Sequence, residues 1–379
     1  MQKLLIISLF VSISLYGQEP IFVSDEQTYG NPDYNDIINR VIAYENYFIT
    51  LGSIYSSDNI SKTNIKILQN NQIVDEISYA FTSNNSYFDN QKINDGIVVD
   101  NNLIVCGSYN ESSFLKKYFN FPNLDSSIYI TSSTNLNASS VIQLSDGRYL
   151  VAGSINFSNE IRWDIECYDE DLNFVSNITF KRINSANNMN NHQSLKIFEM
   201  NDGRIAHFGT AIIGSTNDYA SYITFFDIDS NLTINTSPFS LNFGENYKIN
   251  DVIKENVSGE ERFFTTGYNV YNNNRMLVIA SYDEFGNDIF EQYKNLGAFE
   301  SGNSIKLTND NSLIIVGTSQ ELEDAYDGGG NHIFYGNEYG DNNWNFFVHK
   351  AIIEDDGTST TWTFVYGSER HEGLTDFVI

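Results

Sequence analysis

The sequence predicts an all-β chain, a β-propeller of four-stranded blades, and three observations carry the prediction. The composition pairs Pro 4 with Tyr 24 and Phe 27 and is rich in Ile, Val, Asn, Asp and Ser, which suits short strands with many turns. Apolar strands that run into a Gly followed by a small or aromatic residue recur six times, at Gly52, Gly107, Gly153, Gly209, Gly267 and Gly317, with spacings of 55, 46, 56, 58 and 50 residues. Asp-rich turns recur at matching places, and a period near 50 residues marks propellers or solenoids.

Ala138–Phe180 is the most regular copy. Ala138–Leu144 forms a first strand, Ser145-Asp146-Gly147 a turn, and Arg148–Ala152 a second strand that stops at Gly153-Ser154. Arg162–Tyr168 and Phe174–Phe180 supply the third and fourth strands around Asp169–Asn173. The second strands elsewhere are Tyr47–Leu51, Leu103–Cys106, Ile205–Phe208, Phe263–Thr266 and Leu313–Val316. Several are continuously apolar, so both faces of each sheet should be covered, as neighbouring blades would do. The Gly at the end of each permits a bulge or a close backbone approach. Turns between first and second strands read Ser145-Asp146-Gly147, Asn201-Asp202-Gly203, Ser258-Gly259 and Asn309-Asp310-Asn311, and Asp-Gly or a bare Gly supplies the positive φ a hairpin needs. Turns between third and fourth strands read Asp169–Asn173, Asp227–Asn231, Asp283–Asn287 and Glu354–Gly357.

Six complete units therefore run roughly 35–80, 92–131, 138–180, 192–242, 247–297 and 301–367. Pro20–Val23 with Tyr29-Gly30 resembles the end of a unit, and Glu372–Ile379 resembles a first strand. The expectation is a seven-bladed propeller closed by pairing of its two ends, with the chain stopping short; six blades is the alternative.

Met1-Gln2-Lys3, the apolar run Leu4–Leu15 and the small residue Gly17 read as a secretory signal peptide over residues 1–17, leaving residues 18–379 as the propeller domain. No later run is apolar enough to span a bilayer, so the expected product is secreted or held at the cell surface without membrane insertion. The net charge of -28 excludes phosphate backbones and anionic membranes as natural partners. Cys106 and Cys167 sit in apolar strands and read as two buried thiols, although the compartment permits a disulfide.

Ser304–Asp376 holds Leu313–Gly317, Gly328-Gly329-Gly330-Asn331-His332, Asn343–Lys350, Asp356-Gly357, Trp362 and Tyr366-Gly367-Ser368, and Trp163-Asp164 and Asp283–Asn287 repeat parts of it. In these motifs the chain resembles the secreted β-propeller-like repeat proteins of Bacteroidetes exported by the type IX secretion system. The resemblance implies surface or extracellular delivery and a propeller-like fold. It implies no particular activity, and the C-terminal sorting domain usual in such proteins is absent here.

Catalytic signatures are missing from the sequence. His371-Glu372 begins like a zincin helix, but position 375 is Thr. His192, His207, His332, His349 and His371 are dispersed, and His207 and His349 on strands read as structural. Asp169-x-Asp171-x-Asn173 and Asp227-x-Asp229-x-Asn231 copy half a calcium loop without its Gly and Glu, so Asx turns are the better account. There is no Gly-x-Ser-x-Gly and no sialidase-type Asp box.

One loop breaks the repeat. Ser319–Asn343, between the second and third strands of the sixth unit, is far longer than its counterparts Ile155–Glu160 and Asn269–Asn274. Tyr326, Asn331, His332, Tyr335 and Tyr339 are its candidate ligand-binding residues, the tyrosines by stacking on a sugar. Asp324, Asp327 and Asp341 are its candidate calcium ligands; otherwise no cofactor is expected. The bland alternative is a solvated insertion. The functional expectation is a non-enzymatic binding scaffold for a glycan or surface protein. The alternatives are an extracellular polysaccharide hydrolase or lyase, and a structural spacer of a larger exported protein.

Overall fold

The computed structural model describes residues 35–55, 61–70, 72–79, 82–83, 86–87, 92–109, 112–124, 126–131, 136–157, 160–180, 189–213, 218–227, 239–245, 247–271, 274–294, 299–320, 334–335, 344–354, 357–366 and 376–377. Among them there is no helix, and the fold is all-β: six four-stranded antiparallel sheets, the blades of a β-propeller fold.

Blade 1 is Asn35–Tyr44, Tyr47–Tyr55, Ser61–Gln69 and Gln72–Tyr79; blade 2 is Lys92–Val99, Asn102–Tyr109, Ser112–Phe119 and Ser126–Thr131. Blade 3 is Leu136–Gln143, Tyr149–Phe157, Glu160–Tyr168 and Phe174–Phe180; blade 4 is Met189–Glu199, Arg204–Ile213, Asp218–Asp227 and Phe239–Glu245. Blade 5 is Tyr247–Val257, Glu260–Tyr271, Asn274–Asp283 and Asp288–Lys294; blade 6 is Phe299–Leu307, Ser312–Gln320, Trp344–Glu354 and Gly357–Tyr366. The chain forms two compact units, Met1–Ala138 with Phe377–Ile379, and Ser139–Asp376.

In the first unit, Ile49, Leu51, Ile65 and Ile67 of blade 1 pack on Ile93, Leu103, Val105 and Phe114 of blade 2. The second unit repeats this arrangement. Leu150, Ala152, Ile165 and Cys167 meet Ile197, Ile205 and Phe226; Phe208, Ile223 and Phe225 meet Ile249, Phe263 and Val278; Phe264, Leu277 and Ile279 meet Ile305, Leu313 and Phe347. Phe263 and Phe264 are adjacent in sequence yet belong to different cores, so blade 5 is covered on both faces. That is why the second strands are apolar without alternation: Leu103, Ile104, Val105 and Cys106 are all fully buried.

The recurring glycines do not end their strands, as the sequence suggested; each lies inside one, two to four residues before its end. The reason is a bulge in the partner. The first strand slips by one residue between Ile38 and Arg40, Ile93 and Asp95, Ser194 and Lys196, Ile249 and Asp251, and Gly302 and Ser304. Opposite the bulge the first-strand carbonyl presses on the glycine, and a Cβ on Gly52, Gly107, Gly267 or Gly317 would sit 1.9–2.0 Å from it. Only Gly fits, and pairing then continues past the bulge.

The extra residue of several bulges is Asn, and its amide ties one blade to the next. Asn39 Nδ2 donates to the Ile93 carbonyl at 2.7 Å and Asn94 Nδ2 to the Ala138 carbonyl at 2.6 Å; Asn250 Nδ2 donates to Ser301 Oγ at 2.8 Å and the Gly302 carbonyl at 2.9 Å. Asp251, next to its bulge, accepts from Ser304 Oγ and the Ile305 amide, at 2.9 and 3.0 Å. Asp376 accepts from the same Ser304 hydroxyl at 2.6 Å and pairs with Lys306 Nζ at 3.3 Å. Asp376 and Phe377 are not in a strand, contrary to the first strand expected over 372–379; the remaining residues behind the seventh-blade expectation lie outside the described ones.

Turn chemistry follows the sequence. Gly147, Gly203 and Gly259 have φ of +93°, +86° and +90°. Asp146 and Asp202 pair with Arg148 and Arg204 two residues on, each at 2.6 Å. The Arg204 guanidinium also lies over the Phe225 and Phe285 rings, 5.2 and 5.3 Å from their centres.

Candidate functional site

Of the residues proposed in the long loop, Tyr326, Asn331, His332, Tyr339, Asp324, Asp327 and Asp341 lie outside the described residues. Tyr335 is placed by its backbone: Phe334–Tyr335 pairs in parallel with Phe364 and Val365 of blade 6. The loop's anchors are firm, because Gln320 and Trp344 are paired neighbours. Among the described residues no three His, Cys, Asp or Glu side chains are grouped to hold a metal.

The half-calcium loop at Asp169 is a turn. Asp169 Oδ1 accepts the Asp171 and Asn173 amides at 3.0 and 2.7 Å, and Oδ2 accepts Asn173 Nδ2 at 2.9 Å. Those bonds, the Asn173 side chain first, hold the carboxyl below its ordinary range. Asp283 makes the same set with Phe285 and Asn287. At Asp227–Asn231 only Asp227 is among the described residues.

Two carboxylates stand together on the third strand of blade 3, Asp164 and Glu166, and both are fully buried. Asp164 accepts from Thr179 Oγ1 at 2.5 Å and Asn177 Nδ2 at 3.3 Å, and Glu166 accepts from the Tyr168 hydroxyl at 2.6 Å. Burial pushes the Asp164 carboxyl up to about 6 against those hydrogen bonds, and the nearby Glu166 charge adds to the rise. Sealed from solvent and bonded to its own blade, this pair is part of the core. His207 is likewise enclosed, 2.9 Å from Ser194 Oγ, 5.4 Å from the Trp163 ring, and driven down to about 3 by burial. His349 shares a 2.8 Å hydrogen bond with Thr363 in the core. Both strand histidines have the structural surroundings the sequence suggested, and both cysteines are buried thiols outside any disulfide.

A partly exposed cluster the sequence did not single out sits where the second strands end and the third strands begin. Lys248 is the second residue of the first strand of blade 5 and pairs with Tyr268 of the second strand, the residue after Gly267. Tyr219 comes from the start of the third strand of blade 4, and Arg275 from the start of the third strand of blade 5. The Tyr219 and Tyr268 rings meet edge to face, 6.1 Å between centres. Lys248 Nζ lies over Tyr219 at 5.3 Å and the Arg275 guanidinium over Tyr268 at 4.5 Å. Tyr268 is buried; Tyr219, Lys248 and Arg275 are half-buried. Burial lowers the Lys248 ammonium, and repulsion from Arg275 lowers it further. Burial lifts the Tyr268 phenol to about 12, opposed by Arg275.

A row of backbone pairs connects this cluster to the long loop. Arg275 pairs with Phe299, Phe299 with Gln320, and Gln320 with Trp344. At roughly 4.8 Å per strand, the loop anchors Gln320 and Trp344 stand two and three strands, about 10 and about 14 Å, from Arg275. The clue in the sequence was slight: Tyr268 is the one aromatic residue after a repeat glycine, where the others are Ser or Thr.

No family model matches the chain, and no curated protein matches it. Among solved structures it is similar to the β-propeller domain of the Trilobed protease from Pyrococcus furiosus, at 9% identity and a TM-score of 0.43, over 86% of this chain and 84% of that one. It is also similar to the Bombyx mori GH32 β-fructofuranosidase BmSUC1, at 9% identity, a TM-score of 0.39 and coverage of 90% and 87%. A third, the Pyrococcus horikoshii acylaminoacyl peptidase, gives 10% identity and a TM-score of 0.44 over 86% of this chain and 52% of that one.

Proposed function

We propose that this protein is an exported, non-enzymatic binding scaffold that presents one edge of its blades to a glycan. The observation that carries the reading is the Tyr219–Tyr268 pair with a cation over each ring, in register with the anchors of the long Ser319–Asn343 loop. Tyr219, half-buried and braced edge to face by the buried Tyr268, offers a sugar an apolar face on a rigid sheet beside loops, with the two cations as donors at its rim. Export rests on the signal-like residues 1–17.

The test is a glycan array probed with the full chain, beside a Tyr219→Ala variant. Retention on at least one saccharide class, lost in the variant, supports the scaffold. Background signal across the array, or binding indifferent to Tyr219, would sink it and leave a surface-protein partner to be sought by pull-down.

A further inference from the structure

The chain carries 49 acidic and 21 basic residues, so its cations are scarce and many of the described ones are spent on carboxylates. Arg148 pairs with Asp146, Arg204 with Asp202, Lys254 with Glu261, Lys306 with Asp376 and Lys350 with Asp310. Lys248 and Arg275 differ: among the described residues each is held by a tyrosine ring and neither by a carboxylate. Two half-buried positive charges left close together are costly to keep, through burial and mutual repulsion, and an anion between them would offset that cost. The centre of the Arg275 guanidinium lies 4.5 Å from the centre of the Tyr268 ring, and a guanidinium carries its N–H donors in a planar fork that fits two oxygens of a carboxylate or sulfate.

We propose that Lys248 and Arg275 form a subsite for a single oxyanion, carboxylate or sulfate, on an otherwise neutral saccharide. The proposal rests on the glycan-scaffold reading and names its ligand class. The restriction to one charge follows from the net charge of -28. Charges more than roughly 8 Å apart are screened at physiological salt, so the cluster sees its own anion while a polyanion meets the field of the whole molecule.

The experiment is titration calorimetry of the full chain with an oligosaccharide bearing one uronic acid, its carboxyl-reduced counterpart, a singly sulfated analogue and a polyuronate. The acid should bind at least about tenfold tighter than its reduced form, as expected for a charge-assisted contact. The sulfated arm shows which oxyanion is preferred, and the polyuronate should bind more weakly than the single acid, most clearly at low salt. Arg275→Gln should abolish the preference for acid over reduced form, and Arg275→Lys should restore little of it because the fork is lost. Lys248→Gln, at an independent position, should reduce the same preference. Equal affinity for the acid and reduced forms would overturn the anion subsite while leaving the glycan scaffold standing. Binding to neither form would remove both. The matched ligands on the unaltered protein separate these outcomes even where a variant fails to fold.

Discussion

Replacing Gly267 by Ala tests the physical basis of the repeat most directly. Its new Cβ would lie 1.9 Å from the Lys248 carbonyl oxygen, 2.9 Å from its carbon and 3.0 Å from Ile249 Cα. A carbon and an oxygen rest no closer than roughly 3.3 Å, so the first two strands of blade 5 must part by more than about 1 Å. The obstruction is backbone, which no rotamer change relieves. Ile249, Phe263 and Val278 flank the site in the core shared with blade 4, so the shift also opens that packing. Overpacking of this kind costs about 3 kcal/mol. Gly147→Ala is the control: its φ is +93° and nothing lies within 4 Å of the added methyl, leaving only left-handed backbone strain of about 1–2 kcal/mol. Urea unfolding of both variants should place Gly267→Ala clearly below Gly147→Ala. Equal midpoints would refute the claim that the bulge, and not turn conformation, makes these glycines obligatory.

Three further outcomes are expected. Asp164 has a folded pKa raised to about 6; its favourable contribution is full below the ordinary carboxyl pKa and lost as pH rises through 6, so Asp164→Asn should gain up to about 3 kcal/mol over wild type at pH 8 and nothing at pH 4. A gain independent of pH in parallel denaturant titrations would assign the effect to packing instead. Asn250→Ala strips the donor from Ser301 Oγ and the Gly302 carbonyl and should lower stability by about 2 kcal/mol; a neutral result in urea would show that the interblade bond contributes nothing. Cys106 and Cys167 should resist a thiol reagent in the native protein and both react in denaturant, since both are buried outside any disulfide and burial pushes the Cys167 thiol up to about 11; rapid native labelling of either would contradict that.

Much of the fold was legible because the repeat writes the same physics in each blade. A strand buried on both faces must be apolar throughout, and a hairpin needs positive φ, so Leu103–Cys106 and Asp146-Gly147 announce their places. The glycines were visible as a period, but their cause was not, since a bulge belongs to a pair of strands and the sequence shows one strand at a time. Asn39, Asn94 and Asn250 were hidden for a related reason: an amide in a polar-looking first strand reads as exposed until the carbonyl it reaches, 54, 44 or 52 residues away, is known.

The candidate site shows the same limit more sharply. Tyr219, Lys248, Tyr268 and Arg275 come from four strands of two blades, and no local motif links them. What joins them is the common edge at which second strands end and third strands begin, together with two cations that meet tyrosine rings where Arg148, Arg204 and Lys254 meet carboxylates. The long loop, visible as a break in the repeat, springs from the same edge of blade 6, since Gln320 and Trp344 continue the row that starts at Arg275. Bulge and cluster are also coupled. The carbonyl that presses on Gly267 belongs to Lys248, and Tyr268 is the next residue, so the feature that forbids a side chain at 267 also fixes the backbone from which both groups project. Gly267→Ala should therefore weaken saccharide binding by more than Gly147→Ala does, even under conditions where both variants remain folded.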